Sequence, residues 1–157
     1  MTVHPAQAKD VMTKKVVTIP MGRNVAEALE VMNDLRVRHL PVVDRDGKIV
    51  GILTKKDFSY LKDPRKYKVE ALMSTPIAWV DQEMILRDAI LMMIENKISC
   101  LLIGSSRREV EGIITAEDLL WLLAKRLEQD EKKHSPLTLL DVQSLDEIAN
   151  QISMTGL

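Results

Sequence analysis

The chain has 157 residues, of which 46% are hydrophobic and 29% are charged, and its formal net charge is −1. This length suits one compact domain or two small fused units. A net charge so near zero provides no bulk attraction to nucleic acid or to an anionic membrane, so we expect neither as a partner. The sequence shows no signal-peptide pattern and no apolar run long enough to span a bilayer, which predicts a cytoplasmic protein.

The first predicted elements are a strand and a helix. An apolar run predicts a strand over residues 16–19. Asn24 with Glu27 three residues later is a capping box, so a helix is expected to begin there. Val25, Ala28 and Met32 then recur at helical spacing, which predicts that one face of this helix is buried.

A hairpin and a second helix are expected next. Apolar strands are predicted over residues 40–43 and 49–53, separated by the turn pattern of residues 44–47. Thr54 is placed to cap a helix that ends near Leu61. The polar stretch 62–66, interrupted by Pro64, is interpreted as a linker.

The second half of the chain repeats the first at a shift of 61 positions. The segment 51–57, Gly-Ile-Leu-Thr-Lys-Lys-Asp, returns over 112–118 as Gly-Ile-Ile-Thr-Ala-Glu-Asp. Without any gap, the same shift superposes Met12 on Met73 and Ala28 on Ala89. It predicts a helix over 86–95, strands near 99–103 and 110–114, and a helix from residue 116. Such a repeat indicates two copies of one unit, each too small to bury a full core alone.

Two further segments lead to expectations of their own. Cys100, the single cysteine, allows no internal disulfide, and within its strand it is expected to be a buried, inert thiol. Toward the C-terminus, Ser144 to Glu147 forms a capping box that predicts a short last helix. The apolar stripe of that helix would need to be buried on its own module or on another subunit.

With these motifs, the chain resembles a tandem pair of cystathionine-β-synthase (CBS) domains, also called a Bateman module. Each copy begins with Met-Thr or Met-Ser, residues 39–44 match the family's second-strand signature, and both copies end in Gly-x-x-Thr-x-x-Asp. The resemblance implies an α+β fold of two β-α-β-β-α repeats packed through their sheets into one pseudo-twofold module. It places the first repeat over 8–66, the second over 67–127 and a C-terminal helical extension over 128–157.

The resemblance also implies a function. Modules of this family bind adenosine ligands (AMP, ADP, ATP or S-adenosylmethionine) in clefts between the copies, and they regulate a partner. We therefore expect a regulatory ligand but no prosthetic group and no catalysis. A homodimer is expected, together with a separate regulated protein that the sequence does not identify.

The Gly-x-x-Thr-x-x-Asp segment permits two interpretations. In the structural one, Thr54 and Asp57 only cap a helix and complement its dipole. In the functional one, Gly51 lets a ligand approach the backbone, the helix N-terminus offers N–H groups to phosphate, and the carboxylate accepts both ribose hydroxyls. Since the motif occurs in both copies at one offset, ligand binding is favoured.

The two expected sites differ in charge. In the first site, cationic side chains are expected to surround the phosphate. By resemblance, the residue at position 38 points toward the phosphate, and the base lies against the first strand of the other copy. The residues expected in this first site are Arg38, His39, Thr54, Lys55, Lys56, Asp57, Ile77 and Ala78. The companion site would combine Thr115 and Asp118 with Val16 and Val17. At the positions equivalent to Arg38, Lys55 and Lys56, the second copy has Ser99, Ala116 and Glu117. Polyphosphate binding should therefore be weaker at the companion site.

Catalytic and metal-binding functions find little support. His4, His39 and His134 are scattered, and none lies at metal-ligand spacing from another histidine or from the cysteine. No nucleophile motif accompanies Asp57 or Asp118. An enzyme is therefore not expected. The alternative to a ligand sensor is a dimeric scaffold protein whose nucleotide sites are vestigial.

Overall fold

The computed structural model describes residues 5–105 and 109–131. The chain divides into two units, residues 1–116 and 117–157, and each is described by itself. The described helices are α1 (Ala8–Val11), α2 (Val25–Asp34), α3 (Leu86–Glu95) and α4 (Ala116–Glu131), and the strands are β1 (Ile19–Pro20), β2 (His39–Val43), β3 (Ile49–Thr54), β4 (Trp79–Val80), β5 (Cys100–Ile103) and β6 (Gly112–Thr115). This mixed architecture confirms the predicted α+β class. The short helix predicted after Ser144 lies outside the described residues.

Each copy builds one three-stranded sheet, with strand orders β1-β2-β3 and β4-β5-β6. In both sheets the first strand is parallel to the second, and the second is antiparallel to the third. Leu40 pairs with Leu53 in the first sheet, and Leu101 pairs with Ile114 in the second. These pairs are related by the 61-residue shift, so the sequence repeat is also a structural repeat.

The helices α2 and α3 begin and end at equivalent positions of the two copies, but only α2 is capped by a side chain. Asn24 Oδ1 accepts from Glu27 N at 3.0 Å, and Asn24 N donates to Glu27 Oε2 at 2.7 Å, which completes the predicted capping box. These contacts and Arg23 hold the pKa of Glu27 below its ordinary value. Ile85, at the start of α3, makes no such bond. The helix that follows is as long as α2, because its apolar face is buried in the same way.

Two elements are shorter than predicted. The first strand extends only over Ile19–Pro20, not over residues 16–19. The segment after Thr54 is a short 3₁₀ helix, Lys55–Phe58, that ends well before Leu61. Ser59 ends this 3₁₀ helix, because both its N–H and its hydroxyl group donate to Lys56 O. Helices with i→i+3 hydrogen bonds rarely continue for more than three or four residues.

The two copies are joined by crossed backbone hydrogen bonds. Ile52 N donates to Ser74 O at 3.1 Å, and Ser74 N donates to Ile52 O at 2.8 Å. Thr13 and Ile113 make the equivalent pair of bonds at 2.9 and 3.0 Å. The Met-Thr and Met-Ser segments that begin each copy therefore pair with the last strand of the other copy.

The opening segments of the two copies cross in the same manner. Ala8 N, at the start of the first copy, donates to Met84 O next to α3 at 2.8 Å. Val69 N, near the start of the second copy, donates to Arg23 O next to α2 at 2.9 Å. Each copy thus supplies backbone partners to the other.

An apolar cluster between the sheets draws its residues from both copies. Its buried members are Ile49, Ile52, Cys100, Leu102 and Ile113, with Val16, Val43, Ile77, Trp79 and Val110 packed at its edge. A separate core beneath α2 is formed by the first copy together with Val69 from the second. Because one sheet alone would leave its half of this cluster in water, the two sheets stabilise each other.

The helix α4 forms the described part of the second unit. Among its exposed residues are four with large apolar side chains: Leu120, Trp121, Leu122 and Leu123. No helix among the described residues has the length and apolar character that crossing a bilayer requires.

Candidate functional site

A cavity of about 120 Å³ lies where the two copies meet. The first copy contributes the end of β3 and the turn that follows it, and the second contributes its opening segment and the connection from α3 to β5. The lining residues are Ile52, Thr54, Lys56, Ser74, Pro76, Ile77, Ala78, Lys97, Ile98, Ser99 and Cys100. Neither copy could form this cavity alone.

The crossed strand pairing explains why these residues meet. Ser74 is held against Ile52 by two backbone hydrogen bonds. Residues 76–78 are therefore brought beside the end of β3, where Thr54 lies. Ile77 and Ala78 are half-buried and give the cavity an apolar side.

Two cations lie at the rim, one from each copy. Lys56 follows β3 and Lys97 lies between α3 and β5, and both are exposed. Lys97 adopts a positive φ of 53°, and its counterpart in the first copy, Arg36, has a φ of 52°. Two ammonium groups beside the Thr54 and Ser99 hydroxyls make this rim suitable for an anion. Lys97 was not among the residues predicted for this site, although the repeat pairs it with another basic residue, Arg36.

Asp57 stands behind Thr54 and binds its backbone and side chain. Thr54 N and Thr54 Oγ1 both donate to Asp57 Oδ2, each at 2.8 Å. The structural interpretation of the Thr-x-x-Asp motif is therefore observed. Since both bonds use one carboxylate oxygen, this capping role is compatible with a second role toward a ligand.

The other residues predicted for the first site lie near the cavity but do not line it. Lys55 Nζ donates to Asn33 Oδ1 at 2.9 Å, which directs this ammonium group to α2. Arg38 O accepts from Lys55 N at 2.9 Å, so these two residues are neighbours across the strand pair. His39 Nε2 lies 2.8 Å from Ser99 Oγ, which itself lines the cavity. Of the residues predicted for this site, Thr54, Lys56, Ile77 and Ala78 line the cavity, whereas Arg38, His39, Lys55 and Asp57 do not.

Each motif glycine packs against a methionine of the other copy. A Cβ placed on Gly51 would overlap the side chain of Met73, whose Cβ lies 2.9 Å away. A Cβ on Gly112 would overlap Met12 in the same way, with the methionine Cβ at 3.0 Å. The close approach at each glycine is therefore made by the first methionine of the other copy. The packing of Met73 therefore explains a glycine at position 51 without a ligand, and the ligand role of Gly51 stays a prediction.

The companion set is only partly gathered in the described unit. Val16 and Val17 are half-buried, and Val16 packs on the cluster between the sheets. Thr115 ends β6, opposite Cys100 of β5. Asp118 lies in the first turn of α4, which belongs to the second unit.

Cys100 faces both the core and the cavity. It is a free, buried thiol, and burial raises its pKa to about 12. At neutral pH the sulfur is therefore protonated and behaves as a small apolar group, as predicted.

A wider cavity of about 440 Å³ lies beyond the ends of β1 and β2, with three carboxylates in its lining. Two of these carboxylates, those of Asp44 and Glu70, already stabilise turns. Asp44 Oδ1 accepts from Asp46 N and from Lys48 N, both at 2.9 Å, and Glu70 accepts from Gly22 N at 3.0 Å, which lowers the pKa of Glu70. Within the described part of the chain, no group of three or more His, Cys, Asp and Glu residues could hold a metal ion.

Comparison with known proteins identifies the family. The CBS domain model matches residues 8–61 and 69–125. The chain therefore belongs to the CBS domain family, as the repeat predicted, and it carries two such domains. Paired domains of this kind are regulatory modules.

Similar proteins include both short and long chains. A CBS domain-containing protein of Dictyostelium discoideum is 30% identical over 135 residues, which cover 76% of this chain and 92% of that protein. Inosine-5'-monophosphate dehydrogenase of Methanocaldococcus jannaschii is 33% identical over 122 residues, or 75% of this chain. The match spans only 24% of the length of that dehydrogenase.

A solved structure with a similar fold contains ligands. The CBS domain pair of protein MJ0100, in complex with 5'-methylthioadenosine and S-adenosyl-L-methionine, superposes with a TM-score of 0.71 at 26% identity. The alignment covers 78% of this chain and 99% of that one.

Proposed function

We propose that this protein is a regulatory module that binds an adenosine-type ligand, most favourably AMP, ADP or ATP, and signals to a separate partner protein. The observation that carries the proposal is the cavity that both copies line, with Ile77 and Ala78 on one side and the Lys56 and Lys97 ammonium groups at the rim. Binding of adenosine compounds by the CBS pair of protein MJ0100 supports the ligand class.

The lining residues match the parts of a nucleotide. The apolar segment Ile77–Ala78 suits the flat face of adenine. Ser99 carries a hydroxyl group that can hydrogen-bond to the ligand, Thr54 Oγ1 can accept a hydrogen bond while it donates to Asp57, and Lys56 and Lys97 favour phosphate. S-adenosylmethionine carries a cationic sulfonium, so the two ammonium groups disfavour it relative to AMP.

The size of the cavity suggests how a signal arises. Its volume of about 120 Å³ is well below the roughly 300–1,000 Å³ of typical ligand pockets. A nucleotide must therefore push the Thr54 segment away from residues 76–78, which belong to the other copy. Binding energy would shift the packing of the two copies, and a partner could read that change.

The companion site follows from the same pseudo-symmetry. The 61-residue shift carries Lys97 and Ser99 onto Arg36 and Arg38. The proposal therefore assigns Arg38 to the site of Thr115, Val16 and Val17, and not to the cavity at Thr54 as first predicted. With these arginines, the companion site has cations of its own.

One observation favours the alternative, a ligand-independent scaffold. Asp57 and Thr54 complete their hydrogen bonds within the chain, so the motif stabilises the fold without a ligand. In that case the motif would be retained for capping, and the protein would act as a dimeric interaction platform.

Thermal unfolding with AMP, ADP, ATP, S-adenosylmethionine and NAD separates the two functions. A ligand at 100 times its dissociation constant should stabilise the protein by about 2.7 kcal/mol. We expect adenine nucleotides to raise the melting temperature and inorganic phosphate alone to raise it far less. No shift across the whole panel would support the scaffold.

A further inference from the structure

Trp79 places a buried hydrogen-bond donor between the two sheets. Within the part of the chain that the structure describes, its Nε1 atom is the one enclosed side-chain nitrogen or oxygen without a hydrogen-bond partner. An indole N–H can only donate, and a buried tryptophan usually finds an acceptor for it. Because an unpaired buried donor costs free energy, this atom is a candidate for binding a group from outside the chain.

Trp79 lies on the same face as part of the wall of the cavity that both copies line. Ile77 and Trp79 both pack on the apolar cluster between the sheets, and Ile77 also lines the cavity. Two buried members of that cluster, Ile52 and Cys100, line the cavity as well. Trp79 pairs with Leu102, which is two residues beyond Cys100 on β5. The indole therefore follows the cavity wall along the face between the sheets.

We propose that Trp79 Nε1 donates a hydrogen bond to a ring nitrogen of the purine base of the ligand and thereby selects for that base. This inference rests on the proposed function. A nucleotide must widen the cavity of about 120 Å³, and separating the copies at residues 76–78 opens the face on which Ile77 and Trp79 lie. Two residues of a strand span about 7 Å, a distance that a purine can cover. Adenine offers N3 and N7 as acceptors.

The burial of the donor in the free protein strengthens the proposed bond. An exposed donor exchanges water for the ligand, and this exchange reduces the net contribution of the hydrogen bond. Trp79 Nε1 is already enclosed, so the loss of bulk water is not a further cost of binding. We therefore expect this one bond to increase the affinity for a purine nucleotide about tenfold.

The duplication gives this donor to only one of the two proposed sites. The 61-residue shift places Thr18 at the position of Trp79, and Thr18 is exposed. A threonine hydroxyl both donates and accepts, so it does not restrict its partner to an acceptor. The selection for a purine acceptor is therefore a property of the cavity at Thr54 and not of its companion.

Calorimetric titration of AMP into two phenylalanine variants tests the contribution of the N–H group. Trp79→Phe keeps an aromatic ring but removes the donor, and it should weaken AMP binding about tenfold. Trp121→Phe is the matched control, since Trp121 lies on α4 and is 65% exposed. Its affinity for AMP should stay within about twofold of the wild-type value.

The indole N–H signals in ¹H–¹⁵N NMR spectra of the wild-type protein test the bond itself. The chain has two tryptophans, so the spectrum of Trp121→Phe assigns the signal of Trp79. Saturating AMP should shift the Trp79 proton downfield, as formation of a hydrogen bond does, and leave that of Trp121 in place. Ribose 5-phosphate, which has no base, should not cause this shift. A purely structural role of Trp79 would not produce a shift that requires the base.

The outcomes distinguish this inference from the function on which it rests. AMP binding with an unchanged Trp79 signal, or with equal affinity in Trp79→Phe, overturns the inference and leaves the proposed function standing. Absence of AMP binding to the wild type overturns both. Because the signal is read in the wild-type protein, the test does not depend on whether Trp79→Phe folds.

Discussion

His39 Nε2 and Ser99 Oγ lie 2.8 Å apart, in a hydrogen bond that joins the first copy to the second. The duplication gives this bond no counterpart, because the repeat places Cys100 at the position of His39 and Arg38 at the position of Ser99. Ser99 also lines the cavity at Thr54. One side chain therefore belongs both to the packing of the copies and to the proposed ligand site.

This bond should contribute measurably to stability. We expect Ser99→Ala to lower the free energy of unfolding by about 1 kcal/mol, because it leaves the half-buried imidazole without this partner. A double-mutant cycle with His39→Ala, measured by urea denaturation, should give a coupling energy of about 0.5–1.5 kcal/mol. A coupling energy of zero would mean that the two groups do not interact in solution.

The contact between Gly51 and Met73 predicts a crossed rescue. Gly51→Ala should destabilise the protein by about 1–3 kcal/mol, because the added methyl group overlaps the methionine of the other copy. Met73→Ala should recover part of that loss when combined with Gly51→Ala. It should not recover the loss caused by Gly112→Ala, whose neighbour is Met12. Equal rescue of both glycine variants would be inconsistent with the crossed packing.

The capping role of Asp57 and its proposed role in binding ribose can be separated by the substitution Asp57→Asn. Asp57→Asn keeps an oxygen that can accept from Thr54, so its stability should stay within about 0.5 kcal/mol of wild type, whereas Asp57→Ala should lose about 1 kcal/mol. Nucleotide affinity should fall at least about tenfold in both variants, because the charge-assisted bonds to ribose are lost. Wild-type affinity in Asp57→Asn, measured by calorimetry, would leave Asp57 only its capping role.

The raised pKa of Cys100 predicts its reactivity. An ordinary thiol has a pKa of about 8.5, so its alkylation rate levels off above pH 9. With a pKa of about 12, Cys100 should react slowly at pH 8, and the rate should still be rising at pH 10. The urea-denatured chain is the control and should show the ordinary profile. A plateau near pH 9 in the folded protein would show that the thiol is not buried.

Sequence patterns predicted the elements whose signals are local. Both ends of α3 and the start of α4 were predicted correctly, because apolar spacing and the repeat together define those positions. The capping box at Asn24 was equally clear. By contrast, the helix after Thr54 was predicted too long, since propensity does not reveal the switch to i→i+3 bonding.

The composition of the cavity could be predicted only in part. Thr54, Ile77 and Ala78 were named through the family resemblance and line the cavity, whereas Lys97 was not named and the predicted residue Arg38 does not line it. The residues that line the cavity depend on which segments of the two copies lie side by side. The pairing of Ser74 with Ile52 decides this, because it brings the opening segment of the second copy beside the last strand of the first. No local pattern in the chain encodes that crossing.

Calorimetric titration of AMP into the wild type and two neighbouring lysine variants tests the central claim most directly. Lys56 lines the cavity, whereas Lys55 is bound to Asn33, so the pair differs in position and not in chemistry. The account predicts that Lys56→Ala weakens AMP binding about tenfold and that Lys55→Ala leaves it within about twofold of wild type. Absence of binding to the wild type, or equal losses in both variants, would contradict a nucleotide site between the two copies.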